Sequence, residues 1–313
     1  MKAIRFHEYG DPEVLRLEEV TVPTPGPAQV RVRVAATTFN GVDGNIRAGN
    51  MQGPMPLTLP HIPGLDVAGT VDELGEGVHD LAVGDQVVGF LPFVVNGASA
   101  EYVVADAEIL APAPTSISLA DAAALPLVGL TAWQALFDHA ELTGGQRILI
   151  SGAAGAVGGY AIQLATAAGA HVIATASSDS SGRVMAAGAA EVVDHTRSEV
   201  AAAVTEKVDV LLNLAPITPD EFAALATLVR DGGVVVNTTV WMPAPSDEAR
   251  NVRGIDLYVR SDPKQLSELV SRVDRGELTV DVAERVPLSE LASVHARAAA
   301  GELRGKVVVL ATP

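Results

Sequence analysis

One segment, residues 147–183, constrains the fold of this 313-residue chain more than any other. A short apolar run at 148–150 leads into a turn of glycines and alanines at 152–158, and the apolar residues at 161–168 suit a buried helix. The short β-branched run at 171–176 is typical of a second strand. The order strand, tight turn, helix and strand predicts a βαβ unit.

The turn carries the pattern Ala153-x-Gly155-x-x-Gly158, a dinucleotide-binding fingerprint with alanine in place of the first glycine. Small residues let the backbone approach a pyrophosphate, and the following helix presents free N–H groups and partial positive charge at its N-terminus. The position between a strand and a helix makes the pattern specific. We therefore expect a cofactor to contact Ala153, Gly155, Ala156, Val157 and Gly158.

The end of the second strand indicates which dinucleotide is preferred. NAD sites place an acid there, roughly 20 residues after the glycines, to bind the ribose 2′-hydroxyl, and this chain has none. Ser177, Ser178 and Arg183 can instead surround a 2′-phosphate, so we expect NADPH. Alternatively, the serines form a polar loop that caps the next helix, and Asp179 would weaken the preference if it pointed into the pocket.

Residues 1–121 differ in character from this segment. Short β-type runs separated by Gly/Pro turns predict a compact barrel-like domain; they lie at 2–6, 29–35, 67–71, 85–90 and 101–105.

From 122 to 262, strands and helices alternate. Four more strands are expected at 191–194, 208–214, 234–239 and 255–260. A helix is expected over 219–229, where apolar residues recur at intervals of three and four. The fold class is therefore α/β, with a doubly wound sheet of six parallel strands.

The tail departs from this alternation. It predicts helices at 263–275 and 288–300, an extended piece at 285–287 and a last strand at 306–310. We expect the tail to rejoin the first domain. That gives a barrel domain of 1–121 with 263–313, and a dinucleotide-binding domain of 122–262.

Composition excludes several classes of function. A net charge of -17 argues against nucleic-acid binding, which needs a basic face, and the absence of cysteine excludes disulfides and thiolate metal sites. From 148 to 178 no residue is charged, a run longer than the ~20 residues that span a bilayer. Its many glycines fit a cofactor-binding crossover better than a membrane helix. With no secretory signal apparent, we expect a cytoplasmic protein that does not associate with membranes.

Further motifs follow one another in a specific order along the chain: MKAI at 1–4, YGDP at 9–12, NGVDGNIRAG at 40–49, PGLDVAG at 63–69, VGDQV at 83–87, AEY at 100–102 and GKVV at 305–308. In this order they resemble the medium-chain dehydrogenase/reductase superfamily, and within it the zinc-free quinone oxidoreductases related to zeta-crystallin. The resemblance implies a GroES-like barrel beside a Rossmann sheet, and a homodimer formed through the edge strand at 255–260.

The resemblance also bears on metal binding. Zinc-dependent relatives bind their metal through a cysteine at the position of Asn40 and a histidine at the position of Leu65. Neither residue is a plausible zinc ligand, so we expect no metal. His61 and Asp66 lie close in sequence, but we do not assign a metal to them.

Without a Lewis acid, the accessible chemistry is hydride transfer to an acceptor that is already electron-poor. Asn40, Asp43 and Asn45 form the candidate catalytic set. The Asn40 amide can donate to a carbonyl or a ribose hydroxyl, or can simply fix the loop before a helix. Asp43 and Arg47 lie one helical turn apart, and an ion pair that anchors the loop is the favoured interpretation. Asn45 stands where related reductases often have tyrosine, so no protein acid can be assigned.

The resemblance implies further cofactor contacts. Thr131 would lie by the nicotinamide and phosphate, unless it is an ordinary helix residue. Asn213 and Asn237 follow the fourth and fifth strands, whose carboxyl ends line the crevice of such sheets. Lys306 would lie near the cofactor, with a solvated lysine before an edge strand as the alternative. Trp241 is a weaker candidate for the acceptor pocket.

These observations favour an NADPH-dependent, zinc-independent quinone oxidoreductase. The first alternative is an NADPH-dependent reductase of activated alkenes, that is, of enones or enals. A third hypothesis is a non-catalytic NADPH-binding protein.

Overall fold

A computed structural model describes residues 1–53, 55–239 and 241–311. These residues form two compact units. Met1–Leu127 and the residues from Ser261 onward form the first, which we call the barrel unit, and Val128–Arg260 form the second, which we call the Rossmann unit.

The strands are β1 (Lys2–Arg5), β2 (Arg16–Glu19), β3 (Gln29–Thr38), β4 (Asp66–Leu74), β5 (Gln86–Phe90), β6 (Tyr102–Asp106), β7 (Leu110–Pro112), β8 (Arg147–Ser151), β9 (His171–Ala176), β10 (Glu191–Asp194), β11 (Val208–Asn213), β12 (Val229–Asn237), β13 (Arg253–Asp256), β14 (Val282–Pro287) and β15 (Lys306–Leu310). The helices are α1 (Gly41–Ala48), α2 (Leu119–Ala122), α3 (Pro126–Trp133), α4 (Ala156–Ala167), α5 (Ser178–Ala186), α6 (Val200–Ala203), α7 (Pro219–Ala226), α8 (Pro263–Asp274) and α9 (Leu291–Ala299). A π-helical segment, Gln134–His139, follows α3, and short 3₁₀ turns occupy Pro12–Val14, Ala107–Ile109 and Leu288–Glu290.

The barrel unit is built on a mainly antiparallel sheet with the order β14-β15-β3-β4-β5-β7, and β6 also pairs with β3. Along β3, buried Val30, Val32 and Val34 alternate with Arg31 and Arg33, which is the pattern of a strand with one face on a core. The tail strand β15 pairs antiparallel with β3 and parallel with β14. The last described strand is thus an internal member of this sheet.

The Rossmann unit contains, within its described residues, six parallel strands in the order β10-β9-β8-β11-β12-β13. Numbered within the unit, this order is 3-2-1-4-5-6, which is the doubly wound arrangement. The central strands are apolar throughout because helices cover both faces of such a sheet; Ile148, Leu149 and Ile150 are fully buried. The predicted α/β fold class is confirmed.

Three predicted elements of this unit are wrong in extent. The strand expected at 234–239 is observed at Val229–Asn237. The helix expected at 219–229 ends at Ala226, and Val229 opens β12 by pairing with Val208 across a register shift. The strand expected at 255–260 is observed at Arg253–Asp256. Its neighbour β12 ends at Asn237, the partner of Asp256, and the last backbone contact between them is the Leu257 N–H donating to the Asn237 carbonyl oxygen at 2.8 Å.

Candidate active site

The glycine turn of the Rossmann unit joins β8 to α4. Gly152 has a φ of 77°, and its N–H donates to Thr175 Oγ1 at 2.9 Å. Gly155 is the N-cap of the helix. A Cβ atom on Gly158 would overlap the carbonyl group of Ala153, so the close approach of helix and turn requires glycine here.

This turn fits the pyrophosphate of a nicotinamide dinucleotide. The first N–H groups of an α-helix have no acceptor within the helix, and the side chains at 152–156 are no larger than a methyl group. Arg183 places a positive charge next to the turn, since its Nη2 donates to the Ala154 carbonyl oxygen at 2.7 Å. The structure therefore brings Arg183 together with the predicted residues of the fingerprint.

The serines after β9 cap α5. Ser177 is the N-cap, and its N–H donates to Ser180 Oγ at 3.1 Å. Ser178 Oγ donates to Asp194 Oδ2 at 2.5 Å. Asp179 is exposed in the first helical turn. Capping is thus observed for these residues, and their binding to a 2′-phosphate stays a prediction.

Asp194, which was not among the predicted site residues, lies beside the predicted phosphate site, where it accepts a hydrogen bond from Ser178. Hydrogen bonds from Ser178 and Thr196 lower its pKa to about 2, so this carboxylate is ionised beside the predicted phosphate site. An acid was expected only at the end of the second strand, but β10 pairs with β9 and places Asp194 opposite Ala176. The sequence signal for the position of Asp194 is the predicted strand at 191–194, of which it is the last residue.

Polar side chains tie together three strand ends of the Rossmann unit. Asn213, Asn237 and Asp256 lie in register at the ends of β11, β12 and β13. Asn213 Nδ2 donates to Asn237 Oδ1 at 3.0 Å, and Asn237 Nδ2 donates to Asp256 Oδ1 at 3.1 Å. Both asparagines are buried, so their side chains serve this ladder, and the predicted cofactor contacts would come from the backbone. Thr131 is buried in α3.

A cavity of about 210 Å³ lies beyond the ends of β12 and β13. Trp241, Met242, Leu257 and Tyr258 contribute to its lining. Trp241 is 59% exposed and Tyr258 is 65% exposed. Trp241, the weaker candidate for the acceptor pocket, therefore lines a cavity together with a second exposed aromatic ring, that of Tyr258.

The barrel unit holds a polar cluster where β15, β3 and β4 meet; we call Thr38, Asn40, Asp66 and Lys306 the buried cluster. The antiparallel pairing puts the end of β3 beside the starts of β15 and β4. Lys306 Nζ donates to Asn40 Oδ1 at 2.5 Å and to Asp66 Oδ2 at 3.2 Å. Asn40 Nδ2 donates to Asp66 Oδ2 at 2.9 Å.

Asp66 is the acceptor at the centre of this cluster. Its Oδ2 also accepts from Thr38 Oγ1, and its Oδ1 accepts from the Leu127 N–H at 2.7 Å. No local sequence pattern predicts this role of Asp66 and Thr38, because the partners come from distant segments. The alternative of a solvated Lys306 before an edge strand is wrong: the side chain is 3% exposed and β15 lies between β14 and β3.

Asp43 lies next to the buried cluster in the first turn of α1. Its Oδ2 accepts from the Asn40 N–H at 2.9 Å, and its Oδ1 accepts from the Gly64 N–H at 3.3 Å. Burial raises the pKa of Asp43 to about 7, and the charge of Asp66 adds to the rise, against the lowering effects of the Asn40 N–H and Lys306. The carboxyl thus titrates near neutrality.

The predicted ion pair between Asp43 and Arg47 is wrong. The Asp43 carboxylate turns back to cap the start of α1, whereas Arg47 Nη1 donates to the Gly10 carbonyl oxygen at 2.6 Å. Asn45 is partly buried on the same helix, and its Oδ1 accepts from Asn50 at 3.4 Å. The three candidate catalytic residues therefore share one segment, but only Asn40 and Asp43 touch each other.

No group of three or more His, Asp or Glu side chains that could hold a metal ion occurs among the described residues. His61 packs edge-on against Phe6 with ring centroids 5.4 Å apart, and burial lowers its pKa to about 4. Within the same residues, none of the helices has the length and apolar character needed to cross a membrane.

Comparisons with known proteins agree with this architecture. The family model of the alcohol dehydrogenase GroES-like domain matches residues 26–115, and that of zinc-binding dehydrogenases matches 187–309. A chloroplast envelope quinone oxidoreductase homolog of Arabidopsis thaliana is 33% identical over 99% of this chain and 98% of its own length. The chain belongs to the quinone oxidoreductase family of the medium-chain dehydrogenase/reductase superfamily.

Two further similar proteins are named for reduction of different acceptors. The NADPH-dependent alkenal/one oxidoreductase of Arabidopsis thaliana is 31% identical over 100% of this chain and 80% of its own length. The structure of the quinone oxidoreductase from Coxiella burnetii superposes with a TM-score of 0.89 at 29% identity and covers 99% of both chains. The protein is an oxidoreductase that uses a nicotinamide cofactor and acts on a small molecule.

Proposed function

We propose that this oxidoreductase reduces quinones with NADPH and without a catalytic metal. The observation that carries the proposal is the buried cluster: where zinc-dependent relatives have a cysteine ligand, this chain has the Asn40 amide, held by Lys306 and Asp66. An amide is a hydrogen-bond donor and acceptor, and it is a poor ligand for zinc.

The preference for NADPH rests on the segment after β9. Arg183 contacts the glycine turn and carries the positive charge that a 2′-phosphate needs, and Ser177 lies at the N-terminus of α5. Asp194 opposes this preference through its charge. We propose that Arg183 outweighs it, because a bidentate guanidinium matches phosphate geometry.

When bound, the cofactor supplies a hydride to an acceptor that is already electron-poor. Asn40 donates an N–H to the acceptor oxygen on which negative charge develops, as donors in oxyanion holes do. A quinone then needs one proton on oxygen, which solvent can supply, to become the hydroquinone. An enone needs a proton on its α-carbon. Neither Asn40 nor Asn45 is an acid, and both oxygens of the Asp43 carboxyl are engaged by the backbone N–H groups of Asn40 and Gly64. Quinones are therefore favoured over enones.

An initial-rate panel tests this function. We expect oxidation of NADPH by 1,4-naphthoquinone and phenanthrenequinone, much slower oxidation of NADH, and no loss of rate after treatment with EDTA. Turnover with short enones and none with quinones would establish the alkene reductase instead. Tight NADPH binding without turnover on either set would indicate the non-catalytic protein.

We further propose a homodimer, formed through β13, the last strand in the order of the six-stranded sheet, and a location in the cytoplasm. Strand addition at the edge of a sheet would join two copies across a two-fold axis. The segment at 244–246 would have to move aside for it, because Ser246 Oγ accepts from the Gly254 N–H at 3.0 Å on the outer side of β13. Light scattering should give twice the protomer mass of 32.2 kDa. A monomeric mass would contradict the dimer.

A further inference from the structure

We propose that Lys306 and Asp66 act as positioning residues that fix one orientation of the Asn40 amide, so that a ligand always meets its N–H and never its carbonyl oxygen. This inference rests on the proposed function, in which Asn40 contacts the acceptor. It also replaces the expected cofactor contact of Lys306 with a role inside the barrel unit.

The two ends of the amide have opposite partners. Lys306 carries donors alone and faces Oδ1 at 2.5 Å, whereas the Asp66 carboxylate faces Nδ2 at 2.9 Å. Rotating the amide by half a turn would set its NH₂ group against an ammonium and its oxygen against a carboxylate. Both contacts would then be repulsive, so the flipped state is strongly disfavoured.

Burial makes this discrimination effective. Lys306 is 3% exposed, Asp66 is 0% exposed and Asn40 is 6% exposed. Water therefore does not screen the ammonium or the carboxylate, and interactions at a low local dielectric are stronger than at the surface. Asp66 is itself held by Thr38 and by the Leu127 N–H, so the carboxylate cannot turn away.

The second N–H of Asn40 is the one that a ligand would meet. Nδ2 carries two hydrogens, and one is donated to Asp66. The Asn40 side chain also interacts with the Asp43 carboxyl and lowers its pKa, so a ligand would compete with Asp43 for the second hydrogen. The ammonium on Oδ1 also draws electron density through the amide and makes the remaining N–H a better donor, because linked hydrogen bonds polarise one another.

The test compares Lys306→Met, Asn40→Ala and the double variant, with exposed Lys264→Met as the matched control. Asn40→Ala should lower kcat/KM for 1,4-naphthoquinone about 100-fold, the loss typical of one such donor. Lys306→Met should lower it about 10-fold or more, and the double variant should match Asn40→Ala, because Lys306 acts through Asn40. The dissociation constant of NADPH, from fluorescence titration, should stay within about twofold throughout.

Three results would overturn the inference: an unchanged kcat/KM in Lys306→Met, additive losses in the double variant, or an NADPH dissociation constant raised about tenfold by Lys306→Met. The raised dissociation constant would indicate that Lys306 contacts the cofactor, as the resemblance implies. If the single variant does not fold because Asp66 is left unpaired, the pair Lys306→Met/Asp66→Asn removes both charges and should show the same loss.

A second readout is independent of turnover. In protein labelled with [¹⁵N]asparagine, the Asn40 NH₂ signals can be assigned by their absence in Asn40→Ala. They should exchange slowly with solvent in the wild type and faster in Lys306→Met, with no change in Lys264→Met. Equal exchange rates in the wild type, Lys306→Met and Lys264→Met would refute a fixed Asn40 amide, whether or not the enzyme reduces quinones. Inactivity on quinones would count against the proposed function alone.

Discussion

Replacing His295 with leucine should change how stability depends on pH. His295 is 2% exposed in α9, its Nδ1 has no hydrogen-bond partner among the described residues, and its ring packs edge-on against Phe39 with centroids 4.7 Å apart. Burial, together with the nearby charge of Arg47, lowers its pKa from 6.5 to about 3. The folded state therefore holds a neutral ring under conditions where the unfolded chain binds a proton.

The magnitude follows from linkage. A depressed folded pKa gives stability that is complete above pH 6.5 and is lost as pH falls towards 3. A pH of 5 lies 1.5 units below the pKa of 6.5 that the histidine has in the unfolded chain. At about 1.4 kcal/mol per unit, this site lowers the free energy of unfolding of the wild type by about 2 kcal/mol relative to pH 8. His295→Leu lacks this cost and keeps an apolar side chain in the core.

Urea unfolding followed by circular dichroism at pH 5, 6, 7 and 8 measures the effect. The free energy of unfolding of His295→Leu minus that of the wild type should rise by about 2 kcal/mol from pH 8 to pH 5. Buried His61 is present in both proteins and cancels in this difference. Exposed His79→Leu is the matched control, because it removes a histidine from the surface. A constant difference for His295→Leu would refute the reasoning.

Three further predictions concern the site. Burial raises the Asp43 pKa from 3.8 to about 7, so the stability that this carboxyl contributes is complete below pH 3.8 and is lost as pH rises through 7. Asp43→Asn should therefore remove a decline of about 3 kcal/mol in the free energy of unfolding between pH 5 and pH 8. An unaltered pH profile would count against this prediction. Arg183→Gln should weaken NADPH binding about tenfold, the value of one hydrogen bond to a charged group, and leave NADH binding nearly unchanged in fluorescence titrations; equal losses for both would contradict a phosphate contact. Gly158→Ala should lower the unfolding free energy by about 1–3 kcal/mol and weaken NADPH binding because its Cβ would overlap Ala153, whereas Gly159→Ala, with open space at its Cβ, should do neither; equal behaviour of the two variants would show that the close approach is unimportant.

The sequence predicts the Rossmann sheet well because its signals are local. Glycine spacing, short apolar runs and turn residues all lie within one βαβ unit, and the parallel order follows from right-handed crossovers. Val229 shows where local signals mislead. Its spacing from Phe222 and Leu225 is helical, yet it pairs with Val208 in the sheet. Pairing between strands overrides periodicity there.

The buried cluster shows the other limit. Asn40, Asp66 and Lys306 are far apart in sequence, and they meet because β15 is inserted next to β3. No spacing rule connects them. The same holds for Asp194, which lies beside the predicted phosphate site because β10 pairs with β9. Residue types were visible in the sequence, but their partners depended on strand order.

The position of β15 also matters during synthesis on the ribosome. Residues 36–38 of β3 find their partners in residues 308–310, which are translated about 270 residues later. At about 5–20 residues per second, roughly 15–55 s pass while that part of the strand has an open edge. A nascent chain of this protein therefore carries an unfinished barrel sheet until residues 308–310 are synthesised.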